Sequence, residues 1–359
     1  MAKVGLEGAT IEPVLSAVAE RRGWTLCVGA GTSLPAFPTW WTLVHRLLMR
    51  SSRFEPDASV DTLREFGPDA AIQAVANRSG WSDVERVQAL SEELFRDLLG
   101  SAANPSERDA VASALASSRP GQLTKQKWSA FLDFFDHNYP LVTAQGLARV
   151  IADTRMTPRE VSRVISFNAE SLLAALTNGR LCQKNSHNML VASQEGELTQ
   201  HLDLITHTIS HRRADRIPYF FCHGAVSVPE TIVRFASDDK LVWSESEYLT
   251  LNNSNYSWQS ATFLEACSST SVVFVGVSLT DPNMRRWLSW SHTLRLSELV
   301  KTKNTVGTAD SAPHYWICKR STSAETQRWT EAAVSHLGVR LVWIDDWSAV
   351  EGTLRRMLQ

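Results

Sequence analysis

Trp24-Thr25-Leu26-Cys27-Val28-Gly29-Ala30-Gly31-Thr32-Ser33 is a short, mostly apolar run that breaks into a glycine-rich turn. A helical pattern follows it in TWWTLVHRLLMR, with Thr39 placed to cap the first turn. Strand, glycine-rich turn and helix in that order open a nucleotide-binding α/β unit. Upstream, Ile11, Val14, Leu15, Val18 and Ala19 fall on one helical face that ends at Gly23, so a helix is expected to feed the strand.

Working outward, no convincing β run appears from about Ser51 to Met156, while helix starts recur. Ser82-Asp83-Val84-Glu85 and Ser106-Glu107-Arg108-Asp109 fit the capping-box spacing or its Asp variant. The stretch WSAFLDFFDHNYPLVTAQGLARVIA is apolar around much of its circumference and must pack against something else. Thr157-Pro158-Arg159-Glu160 offers an N-cap, a Pro at N1 and a Glu at N3, which predicts one more short helix. Residues 51–156 are therefore read as a helical insertion subdomain within a discontinuous domain of residues 1–50 and 157–359.

After the insertion the α/β alternation returns. Strands are predicted at Arg163–Phe167, Pro218–Cys222, Ser271–Val275, His314–Cys318 and Arg340–Ile344. Their near-continuous apolar runs indicate strands covered on both faces, as in a parallel sheet, and with Trp24–Val28 the count is six. Lys301–Ala312 reads as a surface loop.

Composition bounds the function. The 359 residues are 43% hydrophobic and 21% charged, enough for two compact units or one large unit with an insertion. A net charge of −2 supplies no global positive field, so neither direct nucleic-acid binding nor membrane contact is expected. No run approaches a membrane span and the first residues lack the core of a signal peptide, so a cytoplasmic location is expected. Five widely spaced cysteines without a C-x-x-C pair suggest buried thiols, not a disulfide framework or a zinc site. Thirteen tryptophans suit either a core or a partner surface.

In an open parallel sheet, ligands bind beyond the carboxyl ends of the strands. Four strand ends stand out: Gly29-Ala30-Gly31-Thr32-Ser33, Asn168-Ala169-Glu170, His223-Gly224, and Gly276-Val277-Ser278-Leu279-Thr280-Asp281-Pro282-Asn283. Glycines let the chain turn sharply and bring backbone N–H groups to a diphosphate near a helix N-terminus. Leu34 stands where a third glycine would complete G-x-G-x-x-G, and no acidic strand end follows about 20 residues on. A hydride-transfer enzyme is thereby disfavoured.

LCVGAGTSLPAFPTW, VISFNAESLL, FFCHG, LVWSESEYLTLNNSNYSWQ and VVFVGVSLTDPNMRRWL together resemble the blocks of the sirtuin-like NADase domains of bacterial antiphage defence systems. The resemblance spreads over most of residues 24–290 and is weaker in 51–156 and after about 300. It implies a Rossmann-like, doubly wound, mostly parallel sheet with an added helical subdomain, and cleavage of the nicotinamide–ribose bond of NAD+ without a metal. It carries Asn168 as the residue holding the ribose and an attacking water, and His223 as the group that bonds or deprotonates a ribose hydroxyl. Gly29, Ala30, Gly31, Thr32, Ser33, Glu170, Gly276, Ser278 and Asp281 are the residues expected to bind the dinucleotide. Glu170 keeps the charge of the Asp usual in sirtuins on an arm one methylene longer. Ser166-Phe167 replaces the Thr-Gln of the deacylases, and their zinc-binding cysteines are missing, which favours hydrolysis of free NAD+ over deacylation.

Plainer readings stand beside these. Asn168 suits a cap for the helix near Glu170, Asp281-Pro282 a helix start before Met284–Leu288, and His223 a satisfied core histidine. His207 and His211 share a helical face without a third metal ligand, Arg212, Arg213 and Arg216 form a small basic cluster, and Cys27 and Cys222 read as inert. The overall expectation is an NAD-depleting effector, homo-oligomeric or held off by a separate activator such as a HerA-type ATPase, a nucleotide-sensing subunit, a phage protein or a small-molecule signal. The alternatives are a non-catalytic NAD or ADP-ribose-binding module and an NAD-dependent deacylase.

Overall fold

All five residues of β1 (Trp24–Val28) are buried, which explains why the run lacks the alternation of a half-exposed strand. The computed structural model describes residues 23–51, 56–117, 119–188, 201–206, 215–229, 231, 241–253, 257–302 and 312–359. The predicted helix at 10–22, His207, His211, Arg212 and Arg213 lie outside the described residues, as does most of the loop at 301–312.

The described strands are β1, β2 (Val161–Ser166), β3 (Leu202–Ile205), β4 (Ile217–Phe221), β5 (Ser271–Val275), β6 (His314–Lys319) and β7 (Val339–Ile344). They form one seven-stranded sheet in the order β3-β4-β2-β1-β5-β6-β7, and every pairing is parallel. The expected six strands become seven because β3 was missed. It is a four-residue edge strand paired only with β4, and half-burial of Asp203 and Leu204 denies it a continuous apolar run.

Thirteen described helices surround the sheet. In the N-terminal half they are α1 (Trp40–Arg50), α2 (Pro56–Leu63), α3 (Pro68–Ser79), α4 (Asp83–Gly100), α5 (Pro105–Ala116), α6 (Lys125–Asn138) and α7 (Thr143–Thr154). Beyond them come α8 (Leu172–Asn188), α9 (Glu245–Asn253), α10 (Trp258–Ser269), α11 (Pro282–Thr302), α12 (Ala324–Val334) and α13 (Val350–Met357). No strand occurs among the described residues of 51–156, as the sequence predicts.

The strand period of two sorts the core into two layers. Leu26, Val28, Val164, Tyr219, Phe221, Val273 and Val275 join one cluster with side chains of α1 and α3 to α8. Cys27, Ile165, Phe220, Val272 and Phe274 join the other with α10 and α11. Trp24 is fully buried, and its indole N–H donates to Arg159 O at 2.9 Å. Burial of one such side chain contributes about 1.5–3 kcal/mol, and the bond spares its only polar atom a desolvation loss.

The capping box at Ser82–Glu85 forms as predicted, with Glu85 N donating to Ser82 Oγ and Ser82 N donating to Glu85 Oε2. Thr39 caps α1 by accepting from Thr42 N. Two local expectations are corrected. The helix expected from Ser106 begins earlier, because Asn104 Oδ1 caps Glu107 N and Pro105 takes the first helical position. Thr157–Glu160 makes a turn and no helix. Glu160 pairs with Arg155 and accepts from Met156 N, Thr157 Oγ1 bonds back to Thr154 O, and β2 starts at Val161.

Parallel strands deliver all their carboxyl ends to one edge. From β1 the chain moves outward through β2 to β3 and β4, then crosses to β5 on the other side of β1. The crevice at such a reversal is where open α/β sheets bind ligands.

Candidate active site

A cavity of about 460 Å³ opens at that crevice, within the ~300–1,000 Å³ usual for small-molecule sites. Gly29, Ala30, Gly31, Asn168, Glu170, His223, Gly276, Ser278 and Asp281 all line it. Thr32 and Ser33 are buried behind the lining and bond to it from below.

The glycines of β1 and β5 lock two loops together. Gly29 N donates to Val275 O at 3.2 Å and Gly31 N to Gly276 O at 3.0 Å. Gly276 sits at φ +66°, and a Cβ there would stand 2.4 Å from Thr32 N. Sequence reasoning offers these backbone N–H groups to a diphosphate. In the structure those of Gly29 and Gly31 bond the β5 side, and Thr32 N closes the turn onto Gly29 O. Close approach of two backbones is thus what requires glycine here.

Asn168 rests in a polar cradle. Its Nδ2 donates to Glu170 Oε1 at 2.8 Å and lies 3.3 Å from both Thr32 Oγ1 and Ser33 Oγ. Ser33 Oγ donates to the same carboxylate oxygen at 2.5 Å, while Leu172 N donates to Glu170 Oε2 at 2.5 Å. Glu170, and not Asn168, therefore caps α8. With Nδ2 committed to this network, Asn168 Oδ1 is left buried and without a partner. Burial pushes the Glu170 carboxyl above its ordinary value, against the pull of its three donors.

His223 sits in an aromatic cage. The rings of Phe167 and Tyr248 meet it edge-on at centroid distances of 4.9 and 5.1 Å. Tyr248 Oη lies 3.3 Å from Nδ1, Asp281 Oδ2 lies 3.9 Å from Nε2, and Nε2 is buried without a hydrogen bond. Burial lowers the imidazole pKa from its ordinary value, with Asp281 and the Phe167 backbone opposing the shift. Burial likewise holds the Tyr248 phenol well above its usual range, so it stays protonated.

Asp281 keeps its plainer role as well, since its Oδ1 accepts from Asn283 N at 2.8 Å and Met284 N at 3.2 Å at the start of α11. That helix runs on to Thr302, well past Leu288. Leu279, two residues earlier, holds a left-handed φ of +51° although it carries a buried side chain. Cys27 and Cys222 are fully buried with raised pKa values, in keeping with inert thiols.

Several lining residues escaped sequence reasoning. Trp40 and Trp243 form an aromatic wall with centroids 5.0 Å apart, Tyr248 comes from α9, and Asp69 and Leu94 reach in from α3 and α4. Aromatic and aliphatic positions on helices carry no signal that separates a cavity wall from an ordinary core. The charged side chains lining the cavity are Asp69, Glu170 and Asp281, with no Lys or Arg among the described residues.

Residues 189–337 match the SIR2-like domain family. The matched stretch includes His223, Gly276, Ser278 and Asp281. It extends beyond residue 300, where the sequence resemblance is weaker, and stops short of the Gly29–Ser33 turn, Asn168 and Glu170. The matched stretch thus supplies one wall of the cavity, while β1, β2 and the helices before residue 189 supply the other. No curated protein matches the chain. Among the described residues no group of three or more His, Cys, Asp or Glu could hold a metal ion, and no helix is long and apolar enough to cross a membrane.

Proposed function

We propose that the protein is an NAD+ glycohydrolase that cleaves the nicotinamide–ribose bond to give nicotinamide and ADP-ribose. One observation carries the reading: Asn168 Oδ1 and His223 Nε2, from two different strand ends, are buried polar atoms without partners in residues that line one cavity. Native structures seldom leave such atoms unpaired; the amide oxygen is an acceptor awaiting a donor, and so is the ring nitrogen when the imidazole carries its proton on Nδ1. The hydroxyls of a ribose and of a water supply such donors.

The chemistry asks little of the protein beyond placement. Water oxygen bonds to the ribose carbon as the carbon–nitrogen bond breaks, nicotinamide leaves with the bonding pair, and one proton is released. Asn168 Oδ1 orients the water or a ribose hydroxyl, with its amide held the right way round by Glu170. His223 stays neutral, and in the tautomer whose Nδ1–H donates to Tyr248 Oη its Nε2 is a bare acceptor for a ribose hydroxyl. Asp69, Glu170 and Asp281, unopposed by a lining cation, favour positive charge on the nicotinamide and at the reacting carbon.

The resemblance to defence NADases extends the proposal to its setting: an NAD-depleting effector of antiphage defence, cytoplasmic, released by a separate sensor subunit or phage-derived trigger, and assembled as a homo-oligomer. The test is nicotinamide release from NAD+ by the purified chain, alone and with lysate of phage-infected cells, followed by chromatography. Asn168→Ala and His223→Ala should each lower release by roughly 10²–10⁴-fold, with NAD+ affinity by calorimetry changed only severalfold. Bound NAD+ that is never cleaved under any condition would replace the hydrolase by a binding module.

A further inference from the structure

Helix α4 belongs to the stretch read as an insertion, yet it holds both chain segments that follow His223. Ser91 Oγ donates to Ser227 O at 2.6 Å. Further along, Arg86 Nη2 donates to Glu247 Oε1 at 2.7 Å, an ion pair in which Arg86 is nearly buried. Glu247 Oε2 in turn accepts from Trp243 N and Ser244 N, both at 2.8 Å, which fixes the first turn of α9. Next to these residues are Trp243, which forms the cavity wall with Trp40, and Tyr248, whose hydroxyl reaches His223 Nδ1. Val242 N closes the loop by donating to His223 O at 3.0 Å.

We propose that Arg86 is a positioning residue for His223, acting through Glu247 to hold Tyr248 against the imidazole and Trp243 against Trp40. A purely structural ion pair on a half-buried helix would need no such relay. Here the guanidinium, whose Nη2 also meets Asp83 Oδ1 at 3.3 Å, holds Glu247, that carboxylate fixes two backbone N–H groups, and the helix so started carries the partner of the imidazole. Gln73 adds a second tie from the same side, accepting from Ser246 Oγ at 2.9 Å. The relay makes helix α4 a determinant of how His223 is presented, although α4 itself offers only Leu94 to the cavity.

The rate part of the test rests on the hydrolase reading of His223; the spectroscopic part does not. In the full chain labelled with ¹³C-histidine, the His223 ring resonance is identified by its loss in His223→Gln. It should be strongly ring-current shifted, because two aromatic edges bracket it. Arg86→Met keeps the aliphatic stem and removes the charge. It should move that resonance toward the values of exposed histidines and lower kcat for nicotinamide release roughly tenfold, with KM changed less than about threefold.

Arg86→Lys should recover part of both effects. Tyr248→Phe keeps the ring and removes only the hydroxyl, so it should lower kcat alike while moving the resonance less, and in the double variant the losses in kcat should not multiply, since both act through one contact. Should Arg86→Met fail to fold, Glu247→Gln weakens the ion pair while an amide oxygen still caps α9, and the same shift is expected. A His223 resonance unmoved by Arg86→Met or Glu247→Gln, or losses that multiply in the double variant, would overturn the proposal. A moved resonance in a chain that never releases nicotinamide would leave the relay standing and remove the hydrolase.

Discussion

Asn168 and His223 present the same kind of atom to the cavity and are held by opposite means. The amide is fixed by the hydrogen bonds its Nδ2 donates to Glu170, Ser33 and Thr32, and the imidazole by edge-on packing against Phe167 and Tyr248. Hydrogen bonds fix direction: an Asn rotated by half a turn would set Nδ2, not Oδ1, toward the cavity. Packing fixes place and, by excluding water, also the charge state. A site that needs one correctly facing acceptor and one uncharged acceptor draws on both devices, and each fails in its own way.

The most damaging break in the cradle comes from below. Gly276→Ala would place a Cβ against Thr32 N in a backbone conformation that favours glycine. The expected cost is about 2–4 kcal/mol, seen as a fall in Tm of several degrees and as lost nicotinamide release, with the His223 cage left in place. Unchanged melting would show that the two loops yield more easily than their hydrogen bonds imply.

Glu170→Gln is the subtler break. An amide offers one acceptor where three donors converge, so one of Ser33 Oγ, Asn168 Nδ2 and Leu172 N faces an N–H. A cost of about 1–3 kcal/mol follows for the stranded donor, together with a loss of roughly 10–100-fold in release as Asn168 loses its fixed orientation. Stability should carry a pH signature too. The Glu170 carboxyl binds its proton more tightly folded than unfolded, so the native chain loses stability as pH rises from the ordinary carboxyl value through the raised one. The substitution should abolish that slope in melting curves recorded against pH.

The smallest effect sharpens the cage side. His223 binds its proton less readily folded than unfolded, so its contribution to stability is intact above 6.5 and erodes as pH falls from there toward the lowered value. Asp281 opposes the lowering. Asp281→Asn, which still caps α11, should therefore move the acid limb of the pH–rate profile to lower pH. A limb that stays fixed would show that His223 is not the titrating group.

Much of this arrangement was legible beforehand. Strands buried on both faces declare themselves as apolar runs, so β1, β2, β4, β5, β6 and β7 were found to within a residue or two, and the glycine turn marked where the sheet would open. β3 hid because an edge strand is only half covered. The Thr157–Glu160 turn misled because a capping pattern says where a helix can start, and not whether β2 leaves it room. Asn168, His223 and Asp281 followed from strand-end positions. Trp40, Trp243, Tyr248 and Asp69 did not, since they reach the cavity from helices whose placement depends on contacts distant in sequence, such as Arg86 with Glu247.

The place of β1 has a consequence for how the chain folds. Trp24 is paired with Val161 on one side and Ser271 on the other, so the central strand is synthesised long before either neighbour exists. Until β5 arrives, one of its edges stays open, and pairing across such separations is slow and exposed to aggregation. The cavity closes with that same last pairing, because Gly276 follows β5 directly. A nascent chain lacking β5 therefore has the sequence of the glycine turn, but not the backbone that gives the turn its shape.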